Sequence, residues 1–218
     1  MSMPSHTDAP PFAFVGGDPS LDLVNTVAWT DEGLARERLT TYDSLTQWAE
    51  RAGVIPGSVG AGLRRRAKLR SQEAAEVLIR AREIRAVFQR LFAPGSTPKD
   101  REIALTAYNA LLHEVLRRLE IGHGEAQRSK GTAARMRWAW SEFAEQLDSP
   151  LWPVVWSAAM LLVSEEASRI RMCSGESCGW VYVDRSRNGL RRWCRMEVCG
   201  THAKSRRRRE RSSAANRR

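Results

Sequence analysis

Residues 173–200 read CSGESCGWVYVDRSRNGLRRWCRMEVCG and contain all four cysteines of the chain. Cys173 and Cys178 form one C-x4-C pair, and Cys194 and Cys199 form a second, with fifteen residues between the pairs. Zinc prefers four soft ligands in a tetrahedron, and four cysteines are a common structural set. Each pair can supply two sulfurs from one tight turn, and Gly175 and Gly179 lie in and beside the first of them. Buried, inert thiols do not account for paired spacing of this kind. A complete set of four thiolates leaves no open coordination position, so the spacing predicts one structural Zn2+ and not a catalytic one.

Trp180 to Val183 is a strand by composition, and Asn188-Gly189 is a hairpin-type turn signal. Leu190 to Trp193 then returns as a second strand and delivers Cys194. Ala203 to Arg211 has neither Pro nor Gly and favours helix. Knuckle, β-hairpin, second knuckle and helix make a treble-clef-like zinc module. So few residues cannot build a core unaided. A structural zinc site supplies on the order of 10 kcal/mol.

Three segments carry a resemblance. They are Cys173-x4-Cys178-Gly179-Trp180, Asp184-Arg185-Ser186-Arg187-Asn188, and Arg191-Arg192-Trp193-Cys194-x4-Cys199-Gly200. Together they resemble the CGNR zinc finger, which implies zinc on the four cysteines and a DNA-binding, transcription-regulating role. After Gly200 the family has Asn-Arg where this chain has Thr201-His202. The change removes a guanidinium fork suited to phosphate. His202 is left with three readings: an exposed substitution, a hydrogen bond to phosphate, or a competing metal ligand.

The charge of the chain is concentrated at this end. From Arg171 onward there are thirteen Arg and one Lys against four acidic residues, while the first 170 residues hold 21 of each sign. The net charge of +10 therefore belongs to the last 48 residues, and one Zn2+ on four thiolates lowers it to +8. A neutral body with a basic end points to a polyanionic partner. The candidate contacts are Arg185, Arg187, Arg191, Arg192 and Arg195 around the cysteines, then Lys204, Arg206, Arg207, Arg208 and Arg209 on the helix. Arg grips phosphate bidentately or reads guanine edges. DNA is the expected partner. RNA is the alternative, with Trp180, Tyr182 and Trp193 as stacking candidates.

The preceding part reads as helical. Asp18-Pro19 is an N-cap followed by Pro, and Leu21, Val24, Asn25 and Ala28 would share one face of a short helix. Residues 43–53, 59–69, 71–93 and 97–119 follow as helices. The 71–93 helix carries a stripe of Ala74, Val77, Leu78, Ala81, Ile84, Phe88 and Leu91. The 97–119 helix is expected to turn Ile103, Ala107, Ala110, Leu111 and Leu119 inward. Arg64-Arg65-Arg66 reads as a solvated face, and His113 as a rim or core histidine. Residues 121–132 read as a loop. Arg135 to Trp140 alternates as a half-buried strand, and the apolar helix after Asp148-Ser149-Pro150 is the expected centre of the core.

Leu21-Asp22-Leu23-Val24-Asn25-Thr26 resembles the opening motif of the ABATE domain, found in bacterial proteins described as stress-induced transcription regulators. Asp22 and Asn25 are read either as local caps or as a ligand or interdomain contact. The fold class is mainly α: a helical domain with a short β element, fused to the zinc module. The expected organisation is a flexible leader over 1–13, an ABATE-like domain over 14–170, a zinc finger with basic helix over 171–211, and a disordered tail over 212–218. No signal peptide or membrane span is legible, which places the chain in the cytoplasm with reduced thiols. No nucleophile–base motif, phosphate loop or carboxylate constellation suggests an enzyme. The expected function is a transcription regulator, with the helical domain sensing a signal or forming a homodimer; the alternatives are an RNA-associated zinc-binding protein and a helical domain that binds or acts on a small ligand.

Overall fold

A computed structural model describes residues 12–30, 33–123, 136–176 and 178–215. These residues are mainly helical, with seven α-helices and three two-stranded antiparallel hairpins among them. The first helix, α1 (Pro19–Val24), is buried along its length. Asp18 caps it by accepting from the Ser20 amide at 2.8 Å. The expected face reaching Ala28 is cut short. Asn25 caps the helix, and the chain passes directly into β1 (Val27–Thr30), paired with β2 (Gly33–Glu37). Thr26 assists the turn by donating its hydroxyl to the Leu23 carbonyl.

Helix α2 (Tyr42–Arg51) starts in a reciprocal cap between Thr41 and Ser44 and stops before Gly53, whose φ of +72° continues no helix. Helices α3 (Gly57–Leu69) and α4 (Ser71–Phe92) follow. The α4 stripe from Ala74 to Phe88 is buried as its spacing predicts, together with Phe92 and one charged residue, Arg85. Arg85 is matched by Glu37 and by the Thr26 hydroxyl, so the buried charge is paired and ties α4 to the first hairpin. Arg64 and Arg66 are not a solvated face. Arg64 pairs with Glu50 at 2.8 Å, and Arg66 donates to the Ala144 carbonyl at 2.7 Å.

Helix α5 (Pro98–Leu116) begins in the Thr97–Asp100 cap that the Thr-Pro pair predicts. It ends three residues before the expected Leu119, and its inward face is Ala104, Tyr108 and Val115, one position round from the expected set. Tyr108 fixes that rotation by donating its hydroxyl to the Val155 carbonyl inside the core. Ile103 and His113 are consequently exposed. Helix α6 (Trp152–Leu162) is the apolar centre: Trp152, Val154, Val155, Ala158 and Leu161 are buried.

The start of the expected 121–132 loop is instead a strand. β3 (Leu119–His123) pairs with β4 (Met136–Trp140), and residues 124–135 lie outside the described residues. Ile121 faces Trp138 across the pair. Trp138 is 62% exposed and Ile121 67%, so β4 is partly buried at its Ala139–Trp140 end and exposed over Met136–Trp138, not half-buried along its length as expected. Trp138 lies against Trp156 in a tilted arrangement, at 6.2 Å between ring centroids.

The third hairpin positions the cysteines. β5 (Ile170–Met172) pairs with β6 (Val181–Val183), with Met172 opposite Val181. The partner of β6 is thus the strand before Cys173, not Leu190–Trp193 as expected. The competing force is the buried carboxylate of Asp184. It accepts from the Ser186 amide and hydroxyl and from the Arg191 amide at 3.0 Å, folding 184–191 into a tight loop. Gly189, at φ +63°, makes the turn within it.

β6 has no exposed face. Val181 and Val183 enter the helical core, while Tyr182 and the preceding Trp180 enter a second core around the cysteines. Residues 12–16 run beside it with the same alternation: Phe12 and Phe14 join the helical core, Ala13 and Val15 the cysteine core. The Val183 amide donates to the Gly16 carbonyl at 2.9 Å. Phe12 and Ala13 therefore do not belong to a loose leader; residues 1–11 lie outside the described residues.

The last helix, α7 (Thr201–Ala215), leaves the second knuckle through one wide turn, Met196–Gly200. It continues through 212–215, where a disordered tail was expected, while 216–218 lie outside the described residues.

Candidate metal centre and nucleic-acid interface

The strand β6, the Asp184 loop and the turn before α7 bring four sulfurs together. Cys173, Cys178, Cys194 and Cys199 are all buried, and one Sγ from each lies within 4.8 Å of every other. No disulfide joins them. The Cys178 and Cys194 sulfurs are 3.6 Å apart, as are those of Cys194 and Cys199. Four sulfurs about 2.3 Å from a common centre would stand about 3.8 Å apart, so these two separations are close to those of a tetrahedral zinc cage. Backbone amides of Gly175 and Cys194 donate to the Cys173 sulfur at 3.3 and 3.2 Å, which favours a thiolate there. Hydrogen bonding from Cys178 and Cys194 holds the Cys173 thiol down to about 7. Contact with Cys173 pushes Cys178 and Cys194 up. A packed set of thiols that resists full ionisation is a cluster that a divalent cation would stabilise.

The glycine in the first pair has a steric reason. A Cβ on Gly175 would sit 2.8 Å from the Cys199 sulfur, inside the cluster. His202 is exposed on α7 and lies outside the four-sulfur group.

A family model described as "Putative stress-induced transcription regulator", ABATE, matches residues 17–165. The chain belongs to the ABATE family. A second model, the CGNR zinc finger, matches residues 169–212. Neither description is of an enzyme. The donor set and the zinc-finger match agree on one structural zinc. No curated protein matches the chain. Among the described residues, no helix is long and apolar enough to cross a membrane.

The opening motif of this ABATE chain points at the metal module. Asn25 grips β6 on both sides: its Nδ2 donates to the Val181 carbonyl and its Oδ1 accepts from the Val181 amide, each at 2.9 Å. Asp22 accepts from the Gly16 amide at 2.8 Å, fixing the 12–17 segment. Trp180 crosses the other way, donating its indole N–H to the Val27 carbonyl at 2.9 Å. The Asn25 backbone N–H closes α1 locally, while its side-chain amide is bonded to a distant strand and not to local backbone. Residue type and spacing could not show this, because Val181 is 156 residues away.

The basic residues divide into two groups. Arg185 forks onto Glu166 at 2.6 and 2.7 Å and reaches the Gly17 carbonyl at 3.0 Å. Arg191 lies over the Tyr182 ring and donates to the Cys194 carbonyl at 2.6 Å and the Trp193 carbonyl at 3.1 Å. Arg191 is thus engaged within the module, and Arg185 ties the module to Gly17 and Glu166 in the preceding part of the chain. Arg206 pairs with Glu176 in the first knuckle and with Glu210, fastening α7 to the module. Arg187, Arg192, Lys204, Arg207, Arg208 and Arg209 are exposed, and Arg195 is half-buried. Lys204, Arg207 and Arg208 gather with Ser212 around one shallow concavity on α7.

Proposed function

We propose that the chain is a transcription regulator that binds DNA through the zinc module and α7, with the helical part sensing a signal or self-associating. The observation that carries this reading is the concavity framed by Lys204, Arg207 and Arg208, on a helix that starts two residues after a buried sulfur cluster. Three cations on one helix face, held by a metal-stabilised base, suit phosphate contact. Arg187, Arg192, Arg195 and Arg209 are the further candidate phosphate contacts; Arg185, Arg191 and Arg206 are engaged with Glu166, the Cys194 carbonyl and Glu176. The division into 14–170 and 171–211 belongs to the same proposal, as does a place in the cytoplasm.

DNA is favoured over RNA by burial. Trp180 and Tyr182 are covered, and Trp193 is half-buried with the Arg192 guanidinium over its ring. None of the three forms an open platform for base stacking. Self-association is supported by one apolar hairpin face, where Ile121, Met136 and Trp138 are exposed together.

The test is a binding titration of the zinc-loaded chain against duplex DNA at several salt concentrations. The expected result is a log–log slope of about −0.9 for each phosphate contacted. Replacing Arg207 and Arg208 with Gln should reduce the slope by about 2 and weaken all sequences alike. Salt-insensitive binding, or none at low ionic strength, would overturn the reading. Stronger competition by single-stranded RNA than by duplex would replace DNA with RNA as the partner.

A further inference from the structure

The helical domain has a groove on the face where α2, α3 and α4 converge, with a volume of about 730 Å3. That size lies within the range of small-molecule sites. Its lining is two-sided in chemistry. Ala61, Ala67, Ala74 and Leu78 supply an apolar floor, and Arg65 and Lys68 stand at the rim. Both cations are exposed, and no ion pair engages either among the described residues. Arg64 also lines the groove, but it is matched by Glu50 and Asp43. Asp43 lines the groove as well, but it lies beside Arg64; with Arg64 set against Asp43 and Glu50, the lining and these partners keep one net positive charge, carried by the Arg65 and Lys68 side of the rim beside apolar surface.

We propose that this groove binds a small amphipathic anion: an apolar body on the alanine and leucine floor, with a carboxylate-type head held by Arg65 and Lys68. The hydroxyls of Thr40 and Ser71, also in the lining, can orient the body or the head. A nucleic acid does not fit the apolar floor, and a neutral ligand leaves the rim charges without a counterpart. The site stands apart from the zinc module, so its test does not depend on DNA binding.

The zinc-loaded full chain is titrated with three probes of equal chain length, decanoate, decanol and decyltrimethylammonium, below their micelle concentrations. Amide NMR shifts are followed. Decanoate is expected to shift residues 40–43, 61–68 and 71–78, and to bind about tenfold tighter than the cation, the weight of one charge-assisted contact. Ala75→Phe places a ring into the groove from an exposed helical position and should abolish the decanoate shifts. The double variant Arg65→Gln, Lys68→Gln should weaken decanoate about tenfold while leaving decanol unchanged. Equal binding of the cation, shifts centred elsewhere, no decanoate response, or indifference to both variants would each refute the site.

Discussion

Burial pushes the Asp22 carboxyl up to about 6, against the lowering effect of amide donors from Gly16 and Val15. The folded state therefore holds a proton on Asp22 more tightly than the unfolded chain does. Its favourable contribution is complete below the unfolded value near 4 and is lost as pH rises through 6. Wild type should lose up to about 3 kcal/mol relative to Asp22→Asn between pH 4 and 7. Denaturant unfolding of the two proteins across that range checks it; comparing them cancels protonation of the cysteines. Asn25 is neutral, and its value lies in two buried hydrogen bonds to Val181. Asn25→Ala leaves that amide and carbonyl without partners and should cost about 2 kcal/mol or more. Gly16 is confined as well, since a Cβ there would sit 2.7 Å from Leu21 Cβ. Gly16→Ala should lower the melting temperature, which a thermal scan reads directly.

At the scale of the element, β6 is three residues long and serves two cores at once. Val183→Ala opens space in the helical core and should cost about 2 kcal/mol. Because β6 is continuous with the knuckle, the same variant should also speed zinc transfer to a chelator, a readout that a purely local cavity would leave unchanged. The four cysteines, the long helices and the Asp18 and Thr97 caps were legible in the sequence, because spacing, Pro positions and apolar stripes are local signals. The pairing of β6 was not. Asn188-Gly189 signals a turn, but it cannot say that Asp184 will close that turn as a loop and leave β5 to complete the sheet. The roles of Arg185 and Arg191 were hidden for a related reason. A guanidinium is assigned to phosphate or to an internal carboxylate by three-dimensional neighbours, here Glu166 and the Cys194 carbonyl. The second hairpin was half legible: alternation marks β4, while its exposure depends on how little of α6 reaches it. On that hairpin, Trp138→Ser should reduce any self-association seen by sedimentation without changing helix content.

At the scale of the whole molecule, the helical part and the zinc module share surfaces that neither could leave exposed. Phe12 to Gly16, β6, Asn25, Trp180 and the Arg185–Glu166 pair all lie across the seam. A tethered zinc finger would melt on its own when its metal is removed. Here the metal also holds the strand that completes the helical core, so its loss should reach α1 and the helices packed on it. The direct measurement is the thermal unfolding of the full chain, followed by helix circular dichroism at one zinc per chain and after chelation under reducing conditions. One cooperative transition is expected with zinc, and a fall of about 10 °C or more without it. A helical transition at the same temperature with and without metal would contradict it.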